Sequence, residues 1–438
     1  MQGLNLEEKN DNKSYSTKDF NDFVEFLKFK YLSLWWSCKT DFPQGKTDIS
    51  FLNKFTNERK VEGFRKKLRS ELRQTPKEEF ERTDLYDKII SLIAEIENGI
   101  IGYENRCLDF FVEKGYIDVT DEFLKEATIF DPDIEVYDIF QAIRNVWIMN
   151  SIQILLDTQV RLTPSIFSYS MLYPYSDNYL DNTDIIIKEK IDFNNKFRKC
   201  LSGKEVEASN SNEKHVFDLV RKIEDEFPRD RYPKVFESLL SIHSAQEKSL
   251  AQQKGKSLPH ENDILGISFE KGGTSVLTDG FLIKGELLKE EAVFMFGYGV
   301  FLQLIDDLQD VQVDLENQHM TVFSQVAGKW PLDILVNKLF WFIESVLESC
   351  DTFDSQDSPK LKKVIHDSCI IMILEAISKN KKMFSRKYIK EIEKISMFRF
   401  SYYKKLKMRF QRDYSSKEIQ SICKILSKKS LGSKFSQM

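Results

Sequence analysis

Apolar residues recur along this chain at the three- and four-residue spacing of a helix face, and the strict alternation of a half-buried strand is absent. In residues 19–38, for example, Phe20, Phe23, Leu27 and Tyr31 form one such stripe. The same spacing predicts helices over residues 78–115, 132–157, 212–226, 232–253, 285–314, 331–350, 358–382 and 386–413. Loops are predicted at residues 41–46, 202–211, 227–232 and 255–263. The pattern therefore predicts an all-α fold, a single large helical bundle.

Two long stretches, residues 162–176 and 292–305, contain no formally charged side chain, although 30% of all residues are charged. Stretches of this kind indicate helices buried inside a bundle. We expect Pro174 to kink or restart the first helix, with Ser176 as the new cap. Each stretch ends in a cluster of aspartates. Because a buried carboxylate is unfavourable without a partner, each cluster requires a compensating charge.

The spacing within each cluster places its carboxylates on one helix face. Like charges at this spacing destabilise a helix unless cations lie between them. Mg²⁺ is the cation that proteins hold with one or two carboxylates, waters and substrate phosphate oxygens. The sequence therefore predicts a Mg²⁺-diphosphate site. Its predicted metal ligands are seven aspartates, Asp177, Asp181, Asp184, Asp306, Asp307, Asp310 and Asp314.

Composition narrows the class of protein. The net charge is −5 and acidic and basic residues are interspersed, so no nucleic-acid partner is expected. Six cysteines without zinc or close-pair spacing indicate free thiols in a reducing compartment. Because no signal-peptide core and no run of 18 apolar residues occurs, we expect a cytoplasmic protein without a membrane span.

The second aspartate cluster carries a family resemblance. Residues 302–310, LQLIDDLQD, resemble the F-Q-x-x-D-D-x-x-D motif of trans-isoprenyl diphosphate synthases. Asp306, Asp310 and Asp314 also match the ligand spacing of the second metal motif of class I terpene synthases. Residues 179–182, YLDN, resemble the D-Y-L-D-N element of the large bacterial class IB terpene synthases.

The resemblance is strict over residues 174–184 and 297–321, and by order and spacing it extends over about 133–413. It implies a class I terpenoid synthase bundle around a central apolar cavity, with a Mg²⁺ cluster, typically of three ions, on a prenyl diphosphate. Residues 131–427 would be the catalytic domain. Residues 16–130 would form an N-terminal helical extension or subdomain, residues 1–15 a disordered start and residues 428–438 a mobile tail.

The implied catalytic residues are Asp177, Asp181, Asp306 and Asp310. The candidate cavity residues are Phe167, Leu172, Tyr173, Tyr298 and Gln303. For diphosphate binding, the paired glycines after Lys271 permit a helix break with exposed amides, and this stretch resembles the Lys-Thr element of prenyl synthases. Arg231 is a candidate because it lies in a proline-flanked loop. Arg399 and Tyr402 are candidates because they resemble the Arg-Tyr pair of terpene synthases. The diphosphate candidates are thus Lys271, Thr274, Arg231, Arg399 and Tyr402.

One departure from the family pattern changes the expected reaction. Elongating prenyl synthases follow their first motif with paired arginines, whereas here Asp184 is followed by Ile-Ile-Ile-Lys. This difference favours a terpene cyclase. A prenyl diphosphate synthase or head-to-head condensing enzyme, and a catalytically inactive helical scaffold, are the alternatives. A homodimer is an open alternative for the assembly, and the basic, aromatic residues 386–412 allow a peripheral membrane contact.

Overall fold

A computed structural model describes residues 20–43, 47–72, 88, 91–92, 95, 99–100, 107–181, 185–253, 262–349 and 353–413. Over these residues the chain forms sixteen α-helices and no strand, which confirms the predicted all-α bundle. In chain order the helices are α1 (Phe20–Ser37), α2 (Phe51–Leu72), α3 (Cys107–Glu113), α4 (Tyr116–Phe130), α5 (Val136–Leu155), α6 (Pro164–Asp181), α7 (Ile187–Leu201), α8 (Ser211–Glu226), α9 (Pro233–Ser249), α10 (Ile264–Lys284), α11 (Lys289–Gln309), α12 (Val311–Asn317), α13 (Asp333–Glu348), α14 (Ser358–Lys379), α15 (Arg386–Lys394) and α16 (Phe400–Asp413). None of the helices described is both long and apolar enough to cross a lipid bilayer.

Helices α10 and α11 form a closely packed antiparallel pair at the centre of the bundle. Their backbones touch at glycines, because a Cβ on Gly272 would lie 2.6 Å from the carbonyl oxygen of Gly299. A Cβ on Gly273 would lie 2.5 Å from the ring of Phe296. The helix break predicted after Lys271 is therefore wrong: α10 continues without interruption, and its glycines allow close helix packing.

Helix α1 is packed into this same core. The Tyr31 hydroxyl donates a hydrogen bond to the carbonyl oxygen of Val293 on α11, at 2.6 Å. The Tyr31 ring fills the space that the missing side chain of Gly297 leaves, and it stacks on Phe296 with ring centroids 5.9 Å apart. Residues of α1 and α4 belong to the same buried cluster as α10 and α11. The division of the chain at residue 130 stays a prediction.

The helices that carry the aspartate clusters differ from the expectation in two details. Helix α6 continues through Pro174, and the Ser176 hydroxyl donates to the carbonyl oxygen of Leu172 inside the helix, so the predicted restart and cap are wrong. Helix α11 ends at Gln309, and Asp310 joins it to α12. The helical bond pattern nevertheless continues, because the Asp310 N–H donates to the Asp306 carbonyl at 3.0 Å.

Candidate functional site

A cavity of about 440 Å³ lies between α5, α6, α7, α9, α10 and α11. Polar side chains and apolar side chains both contribute to its lining. The polar and ionisable contributors are Tyr137, Gln141, Arg144, Asn145, Tyr169, Tyr173, Ser176, Asp177, His243, Gln246, Lys271, Ser275, Gln303, Asp306, Gln309 and Asp310. The apolar contributors are Ile148, Leu172, Phe197, Leu201, Leu239, Ile242, Val276 and Leu302. Both predicted aspartate clusters therefore contribute carboxylates to one cavity.

Asp177 represents the first cluster in this cavity. The Gln246 side-chain amide donates to its Oδ1 at 3.0 Å, and the Ser176 hydroxyl oxygen lies 3.1 Å from the same carboxylate oxygen. The Gln246 donor orients the carboxylate. Asp181 is the last residue of α6, but its side chain and the whole of Asp184 lie outside the described residues. Their predicted roles as ligands stay predictions.

Asp306 and Asp310 represent the second cluster. The Asp306 side chain is 48% exposed, and its Oδ1 lies 3.5 Å from the guanidinium of Arg144 on α5. At this distance and exposure the ion pair is weak, so Asp306 can change partners at little energetic cost. An incoming cation would find this carboxylate accessible.

Asp307 and Asp314 do not line the cavity, although both were predicted metal ligands. Asp307 is buried, and it accepts hydrogen bonds from Gln303 at 2.8 Å and from Ser268 at 3.1 Å. Burial, reinforced by the charge of Asp306, raises the pKa of Asp307 to about 7. Burial, together with the charges of Asp307 and Asp310, also raises the pKa of Asp314 to about 7. Through its bond with Ser268, Asp307 links α11 to α10, and the roles of Asp307 and Asp314 as metal ligands stay predictions.

Within the described part of the chain, no three His, Cys, Asp or Glu side chains form a group that could by itself hold a metal ion. Asp177, Asp306 and Asp310 supply oxygen donors, the type that Mg²⁺ prefers. Mg²⁺ is usually bound by only one or two carboxylates, with waters and substrate phosphates as the other ligands. The donor chemistry of the cavity therefore fits Mg²⁺, and the Mg²⁺ site stays a prediction.

Lys271 lies in the cavity lining, but the predicted diphosphate contact Thr274 does not. Thr274 is buried, and its hydroxyl donates to the carbonyl oxygen of Glu270 at 2.6 Å in its own helix. Thr274 lies one helical turn after Lys271, but its hydroxyl is bonded within α10 and does not line the cavity. The hydroxyl on the cavity side belongs to Ser275, one residue further on.

Arg231, Arg399 and Tyr402 lie outside the cavity, so the structure does not support their predicted contact with diphosphate there. Arg231 is exposed, with its guanidinium 5.3 Å from the ring of Tyr232. Arg399 forms a bidentate ion pair with Glu58 of α2, and its Nε lies 2.8 Å and 3.1 Å from the two carboxylate oxygens. Its charge is therefore already compensated.

The Tyr402 hydroxyl donates to Oε1 of Glu62 on α2, at 3.1 Å. Arg399 and Tyr402 thus attach the last helix to α2.

Three of the five predicted cavity residues, Leu172, Tyr173 and Gln303, do line the cavity. Phe167 and Tyr298 do not, because both are buried in the packed core. The Phe167 ring lies 5.5 Å from that of Phe123, in an aromatic cluster on the other side of α6. The Tyr298 ring lies 5.1 Å from that of Phe301.

His243 is a cavity residue whose ionisation is shifted towards the neutral form. Burial, reinforced by the positive charge of Arg198, lowers the pKa of His243 to about 4, although the Glu247 carboxylate acts in the opposite direction. The imidazole packs edge-on against Phe197, with ring centres 5.0 Å apart. His243 therefore contributes an uncharged ring to the apolar side of the cavity at neutral pH.

Helix α5 supplies cavity residues that sequence reasoning did not identify. Gln141, Arg144 and Asn145 lie on the face of α5 that meets the cavity. Asn145 also donates to the buried carboxylate of Asp279 at 3.2 Å, and burial raises the pKa of Asp279 well above its usual range. The available signal was three polar residues at helical spacing inside the predicted helix over residues 132–157.

No protein-family model and no curated protein sequence matches this chain. The family resemblance therefore stays a hypothesis that depends on the two aspartate motifs.

Proposed function

We propose that this protein is a Mg²⁺-dependent class I terpene synthase that ionises a prenyl diphosphate and cyclises the resulting carbocation. One observation carries the proposal. Asp177, distant in sequence from Asp306 and Asp310, lines the same cavity as both of them, together with Lys271 and a set of apolar side chains. A cavity lined by acidic, cationic and apolar side chains suits a substrate with a diphosphate head and a hydrocarbon tail.

The polar residues would bind the head of the substrate. Asp177, Asp306 and Asp310 would hold Mg²⁺, which when bound neutralises negative charge on the diphosphate oxygens. Lys271 and Arg144 would donate charge-assisted hydrogen bonds to the same oxygens. Because Arg144 is paired only weakly with Asp306, its guanidinium can transfer to the diphosphate as the substrate enters.

The apolar residues would shape the reaction that follows. When the C–O bond of the allylic diphosphate breaks, its electron pair leaves with the diphosphate and a carbocation remains. A double bond of the same chain then supplies two electrons for a new C–C bond, and loss of a proton ends the reaction. Leu172, Leu239 and Leu302 would exclude water during these steps. The Phe197 ring would present a π face that stabilises positive charge.

The experiment is incubation of the purified protein with Mg²⁺ and prenyl diphosphates of increasing length, with measurement of released diphosphate and of extracted products. A hydrocarbon or alcohol together with free diphosphate supports a cyclase. A longer prenyl diphosphate would instead identify an elongating enzyme. If no diphosphate is released from any chain length, the inactive scaffold is the better description.

Two substitutions test the site. Asp177→Asn and Asp306→Asn keep the side-chain volume but remove one carboxylate charge from each cluster, so each should abolish Mg²⁺-dependent diphosphate release. Asp230→Asn, on an exposed loop away from the cavity, is the matched control and should leave release unchanged. Circular dichroism establishes that each variant is folded. Full release by both cavity variants would disprove the proposal.

A further inference from the structure

Helix α2 and the last two helices form one structural unit, although they lie at opposite ends of the sequence. This unit, residues 51–72 together with residues 386–413, is called the basic lobe below. The Asn57 side-chain amide donates to the carbonyl oxygen of Met397 at 3.0 Å, and Glu58 forms an ion pair with Arg399. These contacts hold the two segments together.

The basic lobe has a charge opposite to that of the rest of the chain. It contains 17 Lys and Arg against 6 Asp and Glu, a net charge of +11, in a protein whose total is −5. On α15 and α16, five exposed cations make no ion pair with an acidic residue of the described chain: Arg386, Lys387, Lys390, Lys404 and Lys405. Their charges are therefore available to an external anion.

The basic lobe also carries exposed apolar side chains. Phe51 is 63% exposed, Leu52 75%, Phe55 44% and Met408 52%. The guanidinium of Arg399 lies 5.3 Å from the Phe51 ring and 5.4 Å from the Phe55 ring, so it covers part of both rings. Large apolar groups exposed together on a surface mark a site of interaction.

We propose that the basic lobe docks on an anionic lipid surface. Exposed lysines and arginines attract acidic headgroups, and adjacent aromatic and aliphatic side chains enter the boundary with the acyl chains. Single-stranded RNA would also attract the cations, but it would use aromatic faces for base stacking. Leu52 and Met408 have no such face, and Arg399 already lies over the rings of Phe51 and Phe55. The inference does not depend on the proposed enzyme activity.

The experiment is co-sedimentation of the full chain with vesicles of phosphatidylcholine alone and of equal parts phosphatidylcholine and phosphatidylserine. We expect binding to the anionic vesicles only, decreasing as salt is added because salt screens surface charge. The variant Lys390→Gln/Lys404→Gln/Lys405→Gln should bind these vesicles about 100-fold more weakly. This factor follows from about 1 kcal/mol for each cation near the surface and about 1.4 kcal/mol for each tenfold change.

A matched variant, Lys188→Gln/Lys199→Gln/Lys204→Gln, removes the same charge from exposed positions outside the basic lobe and should bind as the wild type does. Leu52→Gln tests the apolar part and should weaken vesicle binding without changing its salt dependence. Wild-type affinity in the Lys390 triple variant would overturn the proposal. So would binding to single-stranded RNA without binding to vesicles, or a basic lobe that proves to be an interface between two copies by light scattering.

Discussion

The close contact of α10 and α11 allows a quantitative test at Gly272. In a Gly272→Ala variant, the new Cβ would lie 2.6 Å from the carbonyl oxygen of Gly299 and 2.5 Å from the Cβ of Gln303. Ordinary contact begins at 3.4 Å, so the helices would have to move apart by about 0.8 Å. Neither neighbouring atom is the end of a flexible side chain. The strain must therefore be relieved by the backbone.

The expected magnitude follows from two opposing effects. Alanine in place of glycine stabilises a helix interior by about 1 kcal/mol. Overpacking of a well-filled core destabilises by about 1–3 kcal/mol, and a backbone contact lies towards the upper end of that range. We therefore expect Gly272→Ala to lower the free energy of unfolding by about 1–2 kcal/mol. Since Gly272 lines the cavity beside Lys271, diphosphate release should also decrease.

Gly63 provides the matched control. It lies on an exposed part of α2, and a Cβ there would meet no atom within 4 Å. Gly63→Ala should therefore gain only the higher helix propensity of alanine, without overpacking, and raise the free energy of unfolding by up to about 1 kcal/mol. The assay is equilibrium unfolding in urea, followed by circular dichroism. If the two variants are equally stable, the claim that the glycines are required for close helix packing is refuted.

Three further predictions concern single side chains. Arg399→Ala leaves the buried Glu58 carboxylate without its partner and should lower the free energy of unfolding by about 1–3 kcal/mol, while the KM for a prenyl diphosphate stays unchanged. A raised KM with unchanged stability would instead indicate that Arg399 contacts the diphosphate. Because the pKa of His243 is lowered to about 4, the unfolded chain binds a proton below about pH 6.5 that the folded chain does not. The free energy of unfolding should therefore fall by about 2 kcal/mol between about pH 7 and about pH 5. His243→Leu should remove this pH dependence, and an unchanged pH dependence in the variant would show that His243 does not cause it. Tyr31→Phe removes a buried hydrogen bond to Val293 and should destabilise by about 1 kcal/mol in urea unfolding, whereas no change would mean that water replaces the bond.

The helical class could be predicted because it depends on local pattern, whereas the meeting of the two clusters was implied by the family resemblance. The uncharged residues 292–305 identify a buried helix whatever surrounds it, and they do form the central part of α11. Helical spacing then fixes which carboxylates share a face. That the two clusters meet, as Asp177 and Asp306 do in one cavity, does not follow from this spacing.

The errors have a different physical origin, since each depends on a partner distant in sequence. Arg399 is compensated by Glu58, which lies 341 positions away and gives no local signal. The residue pair Gly272 and Gly273 suggests a helix break when taken alone, but Gly299 and Phe296 of the facing helix require those glycines. Local sequence reports which residues are unusual, whereas the packing partner determines why they are there.

The hydrogen bond from Tyr31 to Val293 has a consequence for synthesis of the chain, because it joins residues 262 positions apart. At roughly 5–20 residues per second, the ribosome needs roughly 15–50 s to add that intervening length. During this interval the apolar face of α1, including Phe23 and Leu27, has no completed core to pack against. Helix α1 thus emerges early but reaches its binding partner late, and the nascent chain is an expected client of chaperones that shield apolar segments.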